Sequence, residues 1–337
     1  MTFHIIGNLD QEAIWLGTPQ LSARAQRTSS AYSALLAALA PCDDVTVWAH
    51  APVDPDRLVT APGWTPPTMC VGAAPQIDLL WADPSAKAVN DRRFSFQLTT
   101  AWGCALPGAR VLRSVAELEH HLAAWVESTA CDGAWVCKAV WSSAGRERVY
   151  GRGVGVDANQ RAQLERLFER TEPAVVFEPW LPRVSDVGIC GSVSDKVSLH
   201  PPHQLLSTAR GGFAGIDLRQ VALEHAERDA LVTTAERVGR ELQHMGYRGP
   251  FGVDAFVYRD GDERRLHPLC EINARYTFGH VARALGERIG ISTLQFSTPP
   301  PPGAIVFVRQ SRNDSASVWA SLHEQTGFAR QNLPAAM

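Results

Sequence analysis

The stretch LCEINAR (269–275) sets Glu271, Asn273 and Arg275 at every second position of an otherwise apolar run. In a strand that spacing puts all three on one face. A carboxylate, an amide and a guanidinium so aligned can simply meet water, or can together hold a charged ligand. Upstream, GVDAFVY (252–258) alternates in the same way: Asp254, Phe256 and Tyr258 share one face, and Val253, Ala255 and Val257 the other. Asp260-Gly261 between the runs marks a hairpin turn. An even-length loop at 260–263 pairs odd residues with even ones, so Asp254 shares a face with Glu271 and Asn273. Simple pairing sets Asp254 opposite position 267 or 269, short of Glu271, and a bulge would close the gap. Cys270 and Ile272 would then anchor the strand to the core.

Two facing carboxylates repel. A dication removes that cost. Asp254, Glu271 and Asn273 offer hard oxygens suited to Mg2+ or Mn2+, ions that keep part of their shell for water and phosphate oxygens. Arg275, just past the strand, would point at the same phosphates. A second anomaly is Lys138 within WVCKAV (135–140), a buried-strand pattern. A lysine there is costly unless its ammonium meets an anion or reaches the surface.

The pair GVDAFVY and LCEINAR resembles the C-terminal signature of the ATP-grasp superfamily, and Lys138 stands where that family has a strand lysine. The resemblance covers roughly residues 86–295. It implies Asp254, Glu271 and Asn273 as metal ligands, Arg275 on the phosphates or an acyl-phosphate, and Lys138 on the α- and β-phosphates. WSSAGRER (141–148) fills the place of the phosphate-covering loop, with Ser142 and Ser143 as donors, although Gly145 is its only glycine. FEPWL implies an adenine hinge at Glu178, Trp180 and Leu181, and Asp186 stands where the family holds the ribose. Asn90-Asp91-Arg92-Arg93 resembles an N-D-K pattern with arginine for lysine, which makes Arg92 a further phosphate contact. Arg210, in a glycine-containing loop, could reach the transferred phosphoryl group. Gly252 stands where several ligases of this kind carry an arginine, so that role passes to Arg210, Arg248 or Arg275.

The resemblance implies an ATP-dependent ligase: ATP and Mg2+ (or Mn2+) as cofactors, an acyl-phosphate intermediate, and small-molecule carboxylate and amine substrates, an amino acid or peptide among them. A homodimer is left open. Two other readings also stay open: an ATP-grasp kinase acting on a hydroxyl, and a nucleotide-binding protein without catalysis.

The elements that must position these residues are those of an α/β chain. Strands at 3–6, 45–49 and 77–81 with an Ala/Leu-rich helix over 29–39 imply a parallel unit, and no G-x-G-x-x-G is present. Helices are expected over 90–102 with Asn90 as N-cap, 114–128 with a Ser114/Glu117 capping box, 160–170, 224–245 and 280–289. Strands are expected over 135–140, 174–178 and 186–194. The resulting division is a Rossmann-like pre-ATP-grasp unit (1–85), a small central lobe (86–180), a C-terminal lobe with the metal site (181–300) and an extension (301–337).

Composition narrows the partners. Among 337 residues, 32 Lys and Arg face 35 Asp and Glu, and no basic run offers a nucleic-acid surface. No apolar run is long enough to span a membrane. Seven scattered cysteines without C-x-x-C suggest reduced thiols, and the N-terminus lacks a signal-peptide pattern, so a cytoplasmic protein is expected. Arg24 and Arg27 read as a solvated helix start. His200, His203, His267 and His280 form no metal pair and read as structural.

Overall fold

Three short strands, β1 (Phe3–Ile6), β2 (Val45–Ala49) and β3 (Thr68–Val71), pair in parallel in that order. The computed structural model describes residues 2–7, 9–17, 21–72, 83–128, 133–142, 147–170, 172–208, 211–311 and 316–322. The strand expected at 77–81 lies outside them. The crossover from β1 to β2 carries α1 (Gln11–Trp15) and α2 (Ala23–Ser33), which tightens into a 3-10 stretch ending at Leu39. The helix expected over 29–39 therefore starts earlier, because the Ser22 hydroxyl accepts from the Ala25 N–H at 3.2 Å. Arg24 and Arg27 are exposed on it. The exit of β1 meets α2 only because residue 7 is glycine: a Cβ there would lie 2.4 Å from Ser33 Cβ.

Two helices, α3 (Pro84–Val89) and α4 (Arg92–Ala101), lead into the small lobe. Asp91 caps α4, its carboxylate accepting from the Arg93 N–H at 2.8 Å. Asn90, expected in that place, has another partner described below. The small sheet contains β4 (Arg110–Leu112), β5 (Ala134–Ala139), β6 (Arg148–Arg152) and β7 (Val175–Pro179), ordered β4-β7-β5-β6. The helices α5 (Val115–Ser128) and α6 (Ala158–Phe168) cover it, and Leu118, Trp125, Trp135, Leu164 and Phe177 fill the core between. Ser114 accepts from the Glu117 N–H, while Glu117 reaches back to the Arg113 N–H, one residue beyond the usual capping-box partner.

The large sheet contains β8 (Arg183–Val193), β9 (Val197–Leu199), β10 (His203–Ser207), β11 (Phe213–Asp217), β12 (Gly249–Asp260), β13 (Glu263–Asn273), β14 (Ile291–Ser297), β15 (Ile305–Val308) and β16 (Ser317–Leu322). Its order is β13-β12-β8-β10-β11-β14-β16-β15, with β9 paired to β8. The sheet thus continues past the proline run at 299–302. Odd-numbered residues of β8 and β12 (Val187, Ile189, Val253, Ala255) bury against Leu231, Ala235 and Val238 of α7 (His225–His244). Their even-numbered neighbours consequently face the opposite side. There α8 (Phe278–Ile289) packs Val281 and Leu285 against Leu35 and Phe307, which fixes the N-terminal unit over that face. Among the described residues no helix is long and apolar enough to cross a membrane.

Candidate active site

The hairpin closes as its alternation predicts. Asp260 pairs with Glu263, leaving a two-residue loop whose first position, Gly261, has φ +60°. Pairing then runs to Phe256 opposite His267, where the register slips, and resumes with Asp254 opposite Glu271. The extra β13 residues sit at Pro268, whose nitrogen carries no hydrogen for the ladder. The slip removes the offset expected from simple pairing and sets the two carboxylates directly across from one another. Gly252 faces Asn273, which donates Nδ2 to Asp254 Oδ2 at 3.2 Å. Cys270 does not anchor the α7 core, because the bulge turns it toward the small lobe, where its Sγ lies 3.6 Å from Lys138 Nζ.

Electrostatics distinguishes the two acids. Burial pushes the Asp254 carboxyl up to about 7, and the Glu271 charge adds to it; Arg275 and Asn273 hold it back. Burial also opposes charge on Glu271, but Arg92 and Arg148 outweigh it and hold that carboxyl below its ordinary value. Among the described residues Asp254 has no ion pair. Asp254 is thus the member of the pair without a bonded counter-cation, and the donors here are all oxygens, which fits a hard dication. Among the described residues no three His, Cys, Asp or Glu side chains group as a metal site; the third donor here is the amide of Asn273. That amide turns Oδ1 to Arg275 NH2 at 2.7 Å.

Three cations from the small-lobe side converge on Glu271. Arg92 donates to Glu271 Oε1 at 2.7 Å, to the Ala139 carbonyl and to Ser142 Oγ. Lys138 on β5 pairs with Arg148 across the ladder to β6, so both point to one face. The Lys138 ammonium, 1% exposed, is held by Glu178 at 2.5 Å, from two residues along the neighbouring strand β7. Burial opposes charge on Glu178, yet Lys138 outweighs it and keeps the carboxyl below its ordinary value. Removing one member of such a pair strands the other. Lys138→Met is expected to cost roughly 3–5 kcal/mol in urea unfolding, and adding Glu178→Leu to restore most of it. An additive double mutant would contradict the coupling.

The other expected residues fall around this centre. Asp186 lies on β8 opposite Phe256, on the face that carries Asp254, and pairs with Arg183 at 2.5 Å. The Arg183 guanidinium stacks 5.0 Å from the Trp180 ring and 4.0 Å from Phe256. Leu181 packs beside Leu106, Phe256 and Tyr258. Ser143 and Arg210 lie outside the described residues. A cleft of about 620 Å³ exposes Asp186, Asp254, Glu271, Asn273 and Arg275 together with Arg148 and Arg183. Lys138 and Glu178 stand back from it, Glu178 lining a small recess with Arg92 and Cys270.

Arg148, Glu12 and Ser95, which the sequence did not single out, and Asn90, expected as a helix cap, support this arrangement. Arg148 was recoverable from the β5–β6 register. Glu12, buried on α1, accepts from Arg275 Nε at 2.6 Å, a contact across most of the chain that no local pattern announces. Ser95 on α4 accepts from the Ile272 N–H at 3.3 Å. Asn90 accepts from the Ala274 N–H at 2.9 Å and donates to the Ala86 carbonyl, clamping the backbone between Asn273 and Arg275. Asn90→Ala is expected to lower unfolding free energy by roughly 1–3 kcal/mol in urea titration.

No family model matches the chain, and no curated protein matches it by sequence. Solved structures do. The ADP complex of an N5-carboxyaminoimidazole ribonucleotide synthetase is similar over 71% of this chain and 68% of its own, with a TM-score of 0.50 and 12% identity. D-alanyl-alanine synthetase A from Vibrio cholerae O1 biovar eltor is similar over 61% of this chain and 62% of its own, with a TM-score of 0.46 and 16% identity. The likeness to the ribonucleotide synthetase, together with the order of the two lobes and the hairpin, gives this chain the ATP-grasp fold.

Proposed function

We propose that this chain is an ATP-dependent, ADP-forming carboxylate–amine ligase. The observation that carries the reading is the pair Asp254 and Glu271, opposed across one ladder with Asn273 beside them. Asp254, Glu271 and Asn273 would hold Mg2+ (or Mn2+), which when bound with ATP supplies charge neutralisation at the phosphates. Lys138 and Arg148 lie on the strand face from which the small lobe can reach those phosphates, and Arg92 ties Glu271 to the loop beginning at Ser142. Glu178, Trp180 and Leu181 form the strand exit suited to an adenine hinge, and Asp186 suits the ribose hydroxyls.

A substrate carboxylate oxygen attacks the γ-phosphorus, and the bond to ADP breaks. The amine then attacks the acyl carbon and loses a proton, and phosphate leaves. Arg275, held in place by Glu12, is the described guanidinium suited to the acyl-phosphate oxygens; Arg210 remains a second candidate from the sequence alone. The protein's part is positioning and fixed charge, so it needs no nucleophilic side chain.

ADP release measured against a matrix of carboxylates and amines, with product mass, tests the proposal. Release that needs both partners and an amide product supports ligation. A phosphorylated alcohol points to a kinase, and ATP uptake without ADP under any condition contradicts both.

A further inference from the structure

The cleft extends well beyond the carboxylates, into a chamber that the ligase reading leaves without an occupant. Its far wall is aromatic. Phe213 stacks on Phe278 at 5.7 Å with the rings 14° apart, and Phe296 contacts both, at 5.3 and 4.7 Å. Tyr32 of α2 meets Phe296 edge-on at 5.1 Å. None of the four rings is fully buried, although each belongs to the cleft lining or its immediate packing. Ile5 and Leu36 close the N-terminal side.

Charge in this cleft is one-sided. Arg183, Asp186, Asp254, Glu271 and Arg275 gather at the end proposed for nucleotide and metal, and Arg148 reaches from there to the Gly211 carbonyl at 3.3 Å. Tyr32, Phe213, Phe278 and Phe296 line the cleft from one apolar cluster that also contains Ile5, Leu36 and Leu205. A partly exposed aromatic cluster inside a cleft gains most from an apolar guest, and a charged guest there would lose its water with nothing to replace it. Arg275 and Phe278 line the same cleft, so an acid whose carboxylate is held at Arg275 has the ring of Phe278 within the same enclosure.

We propose that the carboxylate activated here carries an uncharged aromatic or branched apolar group, seated among Tyr32, Phe213, Phe278 and Phe296. This rests on the ligase reading and adds the class of acid to it. It does not require the amine to be known.

Hydroxylamine serves as a general acceptor, because its nitrogen attacks an acyl-phosphate to give a hydroxamate and phosphate. The full chain with ATP and Mg2+ is assayed for hydroxamate from 3-phenylpropionate, 4-methylpentanoate, succinate and 3-phosphoglycerate. Binding of each acid is followed in parallel by thermal shift. The two apolar acids are expected to exceed the two charged ones in kcat/KM by about tenfold or more. Phe278→Ala and the milder Phe213→Leu are expected to shrink that ratio. Preference for succinate or 3-phosphoglycerate overturns the apolar assignment and leaves ligation standing. Neither binding nor hydroxamate from the apolar acids also overturns it. Binding of 3-phenylpropionate that Phe278→Ala weakens, without hydroxamate from any acid, supports the chamber and contradicts the ligase reading instead.

Discussion

Glu271→Gln combined with Asn273→Ala is expected to lower ADP release by roughly a thousandfold, about 4 kcal/mol of transition-state stabilisation. Glutamine is the informative replacement. Arg92 is only 4% exposed and donates to Glu271 Oε1. Alanine would strand that guanidinium in the interior and could cost roughly 3–5 kcal/mol of folding, confusing instability with lost chemistry. Glutamine keeps an acceptor oxygen for Arg92 while removing the anionic ligand. Melting temperature is the control: a fold within a few degrees of the parent with turnover lost supports a cation-binding role. Turnover within about threefold of the parent contradicts it.

The second large effect is acid unfolding. His203, His267 and His280 are all buried. Burial, the main cause in each, depresses their pKa values to about 3, 4 and 4. In the unfolded chain they titrate near the ordinary histidine value of about 6.5. Between pH 6.5 and 4 the unfolded state therefore binds up to three more protons on these rings, so stability falls as pH falls. Asp254 acts in the opposite sense. Its carboxyl, raised to about 7, keeps a proton in the folded state that the unfolded chain gives up, which offsets one of the three. The net of about two protons implies a slope of roughly 3 kcal/mol per pH unit near pH 5. Glu178 and Glu271, depressed in the fold, add their loss only below the ordinary carboxylate range. Urea unfolding at pH 7, 6 and 5 measures this directly. A flat profile across that range would falsify the neutral-imidazole account.

What could be read from the sequence follows the range of each signal. Strand alternation and a glycine turn are local, so the hairpin and its polar face were legible. The expected gap between Asp254 and Glu271 followed from regular pairing, and the sequence held its own correction in Pro268, which cannot serve a ladder. Cys270 packs against a core as expected, but against Leu106, Phe256 and Tyr258 rather than beside Ile272, because the bulge alters the side a residue faces. Asn90 looked like a helix cap because Asn favours that place; Asp91 took it, and Asn90 instead bonds the Ala274 N–H. Glu12 shows the limit. Its contact with Arg275 depends on how the N-terminal unit sits on the large sheet, and that is decided by Leu35, Val281 and Phe307 rather than by any pattern around Glu12. The apolar chamber is hidden likewise, its rings coming from α2, β11, α8 and β14.

The most direct test of the account is a crystal structure of the full chain with Mn2+ and a non-hydrolysable ATP analogue, read by anomalous scattering. The account predicts a manganese peak within about 2–2.5 Å of carboxylate oxygens of both Asp254 and Glu271, bridged to the analogue's phosphates. An analogue bound in the cleft with no cation at either carboxylate, or with its phosphates turned away from Lys138 and Arg148, would contradict it.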